Sequence, residues 1–160
     1  MVSNSLGKRF SVKAYLFFVG TTLAIGFLGG LLGGTGGFDT LTKPPLTPPA
    51  IVFPIVWTIL YILMGTAAYL VWESGNSNRT SALRLYFLQL GMNALWTLFF
   101  FRLEWRLFSF FWILAILYVV ILMLFSFWKI SKLAVYLTLP YVLWLAFASY
   151  LNFGFYWLNR

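Results

Sequence analysis

The stretch Leu107–Trp128, L-F-S-F-F-W-I-L-A-I-L-Y-V-V-I-L-M-L-F-S-F-W, carries no charged residue. A helix needs about 17–25 predominantly apolar residues to cross a bilayer, so this run reads as a membrane span. Four more charge-free runs surround it: Ala14–Phe38, Pro44–Trp72, Leu85–Phe101 and Leu133–Asn159. The loops between them are short and leave no room for a separate soluble domain. The reading is an all-α integral membrane protein: a five-transmembrane-helix bundle in a single domain over residues 1–160. Its predicted spans are 12–34, 50–72, 82–101, 107–128 and 133–158.

Composition agrees. Charged residues make up 9% of the 160 residues, hydrophobic ones 62%, and the mean hydropathy is +0.90. Soluble domains carry about 25% charge. Lys8, Arg9 and Lys13 precede the first apolar run as in a signal peptide, but that run is too long and no small-residue cleavage pattern follows it. There is no cysteine and no histidine, which excludes disulfides, thiolate chemistry, Cys-ligated metals, imidazole bases and the usual haem ligand.

The net charge of +8 is no nucleic-acid signal, because the cations sit at the ends of the apolar runs. Lys8, Arg9, Lys13, Arg79, Arg84, Lys129 and Lys132 fall on one side of the bundle, and Lys43, Arg102, Arg106 and Arg160 on the other. This asymmetry puts the N-terminus in the cytoplasm. With no distinct transit segment, the expected location is a bacterial plasma membrane, the mitochondrial outer membrane being the alternative.

Between the first two spans lies Lys43–Trp57, K-P-P-L-T-P-P-A-I-V-F-P-I-V-W. Proline fixes φ, lacks an N–H and pushes the preceding residue toward extended conformations, so this is a stiff connector. It suits a lid over a cavity mouth and equally a loop that sets the angle between two helices. Pro49 is expected in the first turn of the second helix.

The first span ends in G-F-L-G-G-L-L-G-G-T-G-G. Gly26, Gly30 and Gly34 form one stripe and Gly29, Gly33 and Gly37 its neighbour. Such stripes let helix backbones approach closely in lipid, or unwind a helix end into a hinge. The first stripe, or Gly91–Met92 on the third span, is the expected homodimer surface. The polar loop Glu73–Ser81 offers Ser or Thr to cap the third helix.

Trp72, Trp105, Trp112, Trp128 and Trp157 lie near span ends, where interfacial anchoring accounts for them. Trp57, Trp96 and Trp144 fall deeper. Pro54, Trp57 and Tyr61 form one helical column; Asn93, Trp96 and Phe100 a second; Trp144, Ala148, Leu151 and Asn152 a third, below Pro140 and Tyr141. An amide inside a span is costly unless bonded, so Asn93 and Asn152 each serve either an interhelical hydrogen bond or a ligand. Pro140 either kinks the fifth span or marks its start.

These columns carry a resemblance. K-P-P-L-T-P-P-A-I-V-F-P-I-V-W-T-I-L-Y, M-N-A-L-W-T-L-F-F-F and L-P-Y-V-L-W-L-A-F-A-S-Y-L-N resemble the TspO/translocator protein family, the tryptophan-rich sensory proteins or peripheral-type benzodiazepine receptors, from about Asp39 to Asn159. The resemblance implies a five-helix fold, commonly dimeric, with a ligand cavity under the first loop. It implies a receptor, sensor or carrier for porphyrins such as haem and protoporphyrin IX, for sterols, and for flat apolar drugs. No cofactor is required; porphyrin or haem enters as ligand. By that carry-over the ligand-binding residues are Lys43, Pro48, Pro49, Trp57, Tyr61, Asn93, Trp96, Phe100, Trp144, Ala148, Leu151 and Asn152.

The alternative is a light-dependent porphyrin-degrading enzyme working through Trp57 and Trp144. The only carboxylates are Asp39, Glu73 and Glu104, all near loops, which disfavours ground-state acid–base catalysis. Departures from the family pattern bear on this alternative. Gly37-Phe38-Asp39 stands for Trp-Tyr-Asp, Leu46 for a loop tryptophan, and Phe153 for an aromatic that is tryptophan in degrading members. A cholesterol-recognition pattern, Leu151, Tyr156 and Arg160, is matched equally well by an interfacial Tyr beside an Arg.

Overall fold

The computed structural model of the chain describes residues 10–34 and 38–160. Lys8, Arg9 and Gly37 lie outside the described residues. Those described form α1 (Val12–Gly33), α2 (Val52–Glu73), α3 (Arg79–Thr97), a π-helical turn (Leu98–Arg102), α4 (Arg106–Trp128) and α5 (Lys132–Leu158), with no strand among them. α1 packs on α2, α2 on α5, α5 on α4, α4 on α3 and α3 on α1, which closes a ring. The outward faces are apolar and exposed, as Phe111, Tyr118 and Phe125 show at seven-residue steps along α4. Such a surface requires lipid rather than water.

α1, α2, α4 and α5 are each long and apolar enough to span a bilayer. α3 falls short by composition because it carries Arg79, Arg84, Gln89 and Asn93. The fold resolves this by burying Gln89 and Asn93 completely or nearly so, bonded to side chains of α2 and α5. α3 begins earlier than the expected residue 82, after Asn78, whose side chain makes no capping bond; the Ser or Thr cap is not used. Ser11 and Ser131 do cap, accepting from the amides of Ala14 and Ala134. Pro140 lies inside continuous α5 and does not mark its start.

The glycine stripes divide. A Cβ on Gly29 would meet the Ala94 backbone at 3.0 Å, and one on Gly33 the Thr97 side chain at 2.9 Å. The Thr97 hydroxyl donates to the Gly29 carbonyl at 2.5 Å across this approach. Close packing is therefore internal, on α3, and uses the second stripe. Gly30 and Gly34 meet nothing within 4 Å, and Gly26 lies under the Tyr61 ring. α1 ends at Gly34, in the left-handed region at φ 66°.

The proline-rich connector folds as a turn in which the Thr47 amide and hydroxyl both bond to the Pro44 carbonyl, at 3.3 and 2.6 Å. Leu46, third in that turn, takes φ 66° and is 81% exposed. The connector is pinned to α5. Pro44 sits on Gly154, Tyr150 donates to the Pro45 carbonyl at 3.0 Å, and the Asn159 amide brackets Thr42 at 2.9 and 3.0 Å. Pro49 precedes α2 instead of opening it, its carbonyl accepting from the Val52 amide at 2.9 Å.

Candidate functional site

Inside the ring, between α1, α2, α3 with its π-turn, and α5, lies a cavity of about 720 Å³. α2 explains its place. From Leu60 to Val71 the helix is buried at Leu60, Met64, Gly65, Ala67, Ala68, Tyr69 and Val71; from Val52 to Ile59 it buries no residue. Small residues bring α2 against α1 in the first half, where a Gly65 Cβ would stand 2.7 Å from the Val19 Cα. In the Val52–Ile59 half, Phe53, Pro54 and Trp57 line the cavity instead.

The floor is polar. Tyr61 donates to Asn93 Oδ1 at 3.4 Å, Asn93 Nδ2 donates to the Tyr141 hydroxyl at 2.9 Å, and Tyr141 donates to Gln89 Oε1 at 2.8 Å. Gln89 Nε2 approaches the Met64 sulfur at 3.9 Å. This ladder satisfies groups that would each cost several kcal/mol unpaired in hydrocarbon. Asn93 thus makes the interhelical bonds weighed from sequence while still presenting itself to the cavity. Asn152 differs: its Oδ1 accepts from Ser109 at 3.3 Å, but its Nδ2 has no partner. Trp96 Nε1 is likewise buried without an acceptor.

The walls are aromatic. Trp57 stacks on Tyr61 with centroids 5.4 Å apart, and Trp96 on Phe100 at 5.3 Å. The π-turn, closed by the Leu103 amide on the Leu98 carbonyl at 2.9 Å, lets consecutive Phe100 and Phe101 both reach the wall. Among the described residues, no lysine, arginine or carboxylate stands in the wall. Phe27 and Gly30 on α1 with Gly34 at its end, and Pro54 and Thr58 on α2 with Ala50 just before it, are exposed and line the cavity, so it opens sideways between these two helices.

Of the sequence-predicted residues, Trp57, Tyr61, Asn93, Trp96, Phe100, Ala148, Leu151 and Asn152 come together in one wall. Lys43, Pro48, Pro49 and Trp144 do not. Trp144 stands behind the wall, edge-on to Phe53 at 5.9 Å and Trp57 at 6.5 Å, because α5 turns it toward α2. The loop contributes Phe38 and Ala50 instead of its prolines, since Lys43–Pro49 docks outward on α5. Lys43 reaches the rim indirectly, with Nζ 4.9 Å above the Phe38 ring.

Sequence reasoning missed Phe38, Phe53, Thr97, Phe101 and Phe155 in the wall, and Gln89 beneath it. Phe53 was within reach, one step before Pro54; Phe101 was not, because only the π-turn brings it round. Trp112 proves no simple interfacial anchor: its Nε1 donates to the Met92 carbonyl on α3 at 2.8 Å. Leu151 lines the cavity while Tyr156 and Arg160 line a separate hollow, so the three letters of the cholesterol-recognition pattern share no surface.

Comparison with known proteins agrees with this architecture. The TspO/MBR family pattern matches residues 18–158. The tryptophan-rich protein TspO of Archaeoglobus fulgidus is 39% identical over 140 residues, covering 86% of this chain and 91% of its own. That of Chlorobaculum tepidum is 37% identical, covering 88% and 92%. The human translocator protein is 34% identical, covering 75% and 73%. With a match across nearly all of the bundle, and lipid-facing helices around an aromatic cavity, this chain is an integral membrane protein of the TspO/MBR family.

Proposed function

We propose that the chain is a membrane receptor or carrier that takes flat apolar molecules of the tetrapyrrole type, and sterols of similar size, into the cavity between α1, α2, α3 and α5. The observation that carries this reading is a 720 Å³ aromatic chamber with the polar side chains of Asn93 and Asn152 among its lining residues. Small-molecule sites have volumes of about 300–1,000 Å³ and pair apolar walls with a few placed polar groups. Aromatic side chains along the wall suit a planar ring, and the side opening between α1 and α2 admits a ligand already dissolved in the bilayer. Lys43, held at the rim on Phe38, offers a cation to a propionate left outside.

The test is titration of the purified protein with protoporphyrin IX, in darkness and then under light. Saturable quenching with no new absorbing product is expected. Ala148→Trp fills the chamber from α5 and should abolish quenching while the protein still folds; unchanged binding by a folded variant refutes the site. A second reading, porphyrin breakdown, is favoured by one observation: Trp57 stacks on Tyr61 in the wall, so an oxidisable pair would touch the ligand. A light-dependent product lost in Trp57→Phe would establish it.

The same reading includes a homodimer in a bacterial plasma membrane. Gly30 and Gly34 face the cavity opening, which leaves exposed Gly91 on α3, with open space where a Cβ would stand, as the outward small-residue surface. Gly91→Ile should weaken cross-linking between copies.

A further inference from the structure

Where α4 begins and α5 ends, the bundle carries a second hollow of about 290 Å³. Glu104, Trp105 and Arg106 form one side, and Tyr156, Asn159 and Arg160 the other. Its chemistry is the opposite of the cavity's. The guanidinium groups of Arg106 and Arg160 line it together with the Glu104 carboxylate. Arg106 Nη2 lies 3.2 Å from Glu104 Oε2, yet Arg106 Nε is buried with no acceptor, so the pair leaves the guanidinium incompletely satisfied. Glu104 takes φ 54°, a left-handed conformation costly for a residue with a Cβ, and this turn brings its carboxylate back onto Arg106.

The other side is held in place. Asn159 Nδ2 bonds the Phe155 carbonyl at 2.8 Å and the Thr42 carbonyl at 3.0 Å, which fastens the end of α5 to the proline-rich connector. The Arg160 guanidinium lies 3.5 Å from the Trp157 ring centroid. α4 starts here with no side-chain cap on its first turn, and its dipole adds positive potential. Around these charges the surface is apolar: Trp105, Leu107, Phe108 and Trp157 are all exposed. The hollow lies where apolar spans meet the headgroup layer.

We propose that this hollow seats the phosphate of an anionic phospholipid from the surrounding bilayer, with Arg106 and Arg160 on the phosphate and the exposed apolar residues against its acyl chains. A soluble phosphate would use the two guanidinium groups and leave the apolar surround without a role; a lipid uses both. Basic pockets between membrane helices take lipid headgroups on this principle. The arrangement is independent of the aromatic cavity, since the two share no lining residue.

The test is native mass spectrometry of the full chain released from nanodiscs of equal phosphatidylglycerol and phosphatidylcholine. A single retained phosphatidylglycerol is expected, in preference to phosphatidylcholine. Arg160→Gln should lower its retention about fivefold, the typical weight of one cation near a charged headgroup. The paired variant Glu104→Gln/Arg106→Gln removes the Arg106 donors without leaving an unpaired carboxylate; its net charge is unchanged, so it should lower retention measurably but less than Arg160→Gln. Arg84→Gln, at the opposite end of the bundle, should leave it unchanged. Retention unaffected by the first two variants overturns the site. Equal loss in Arg84→Gln would mean diffuse surface charge, and displacement of the lipid by inorganic phosphate would mean a free-anion site; either overturns the proposal.

Discussion

The two halves of α2 show how one helix can seal a bundle and open it. From Leu60 to Val71 its buried residues include Gly65, Ala67 and Ala68, and Gly65 comes up against the Val19 backbone of α1. From Val52 to Ile59 it buries nothing, and its inner residues are Phe53, Pro54 and Trp57. In lipid there is no hydrophobic penalty for leaving helices apart, so association rests on packing and interhelical hydrogen bonds. Small residues permit that packing. Large aromatics with no partner across the gap leave a chamber. The halves teach that the cavity results from side-chain size along one helix, with the Tyr61–Asn93–Tyr141–Gln89 ladder marking the boundary.

Five substitutions break or sharpen this contrast. Gly65→Val should do most damage, since the new side chain meets Val19 backbone that cannot yield; overpacking of this kind costs about 3 kcal/mol, to be read as lost thermal stability in detergent. A stable Gly65→Val protein would show that the sealed half is not close-packed. Tyr141→Phe removes one hydroxyl and strands Asn93 and Gln89; about 2 kcal/mol of stability should go, with the cavity walls intact.

In the open half, effects fall on binding. Trp57→Ala removes a wall and should weaken protoporphyrin IX by roughly tenfold, whereas Trp144→Ala, one row behind, should cost only about threefold. Equal losses would place Trp144 against the ligand after all. Gly30→Val is the mildest for the fold: with nothing near its Cβ, stability should change by about 0.5 kcal/mol or less, in contrast to Gly65→Val. Slower porphyrin uptake by this variant would support entry between α1 and α2.

Much of the site was legible in the columns of α2, α3 and α5, because i, i+3 and i+4 spacing needs only a helix to place side chains on one face. Trp57 with Tyr61, Asn93 with Trp96, and Ala148 with Asn152 therefore met as expected. Trp144 did not, although it shares a column with Ala148, because a helical face is wide enough for its edge to point at a neighbouring helix. The connector failed for another reason: proline content fixes stiffness but not direction. Contacts from Gly154, Tyr150 and Asn159 decided that Lys43–Pro49 would lie on α5, so that Phe38 and Ala50 line the cavity in its place.

The sequence by itself determined the solvent and the element type: charge-free runs long enough for a bilayer must become helices there, since no other segment satisfies its own backbone. It also determined which amides and aromatics share a face. Tertiary structure alone decided three things. It chose Gly29 and Gly33 over Gly30 and Gly34 as the contact on α3, because rotation of α1 about its axis is set by neighbours rather than spacing. It turned Phe101 into the wall through a π-turn whose extra residue leaves no mark in an apolar run. And it brought Arg106 and Arg160, far apart in the chain, to one hollow, because only the packing of α4 on α5 sets which helix ends meet.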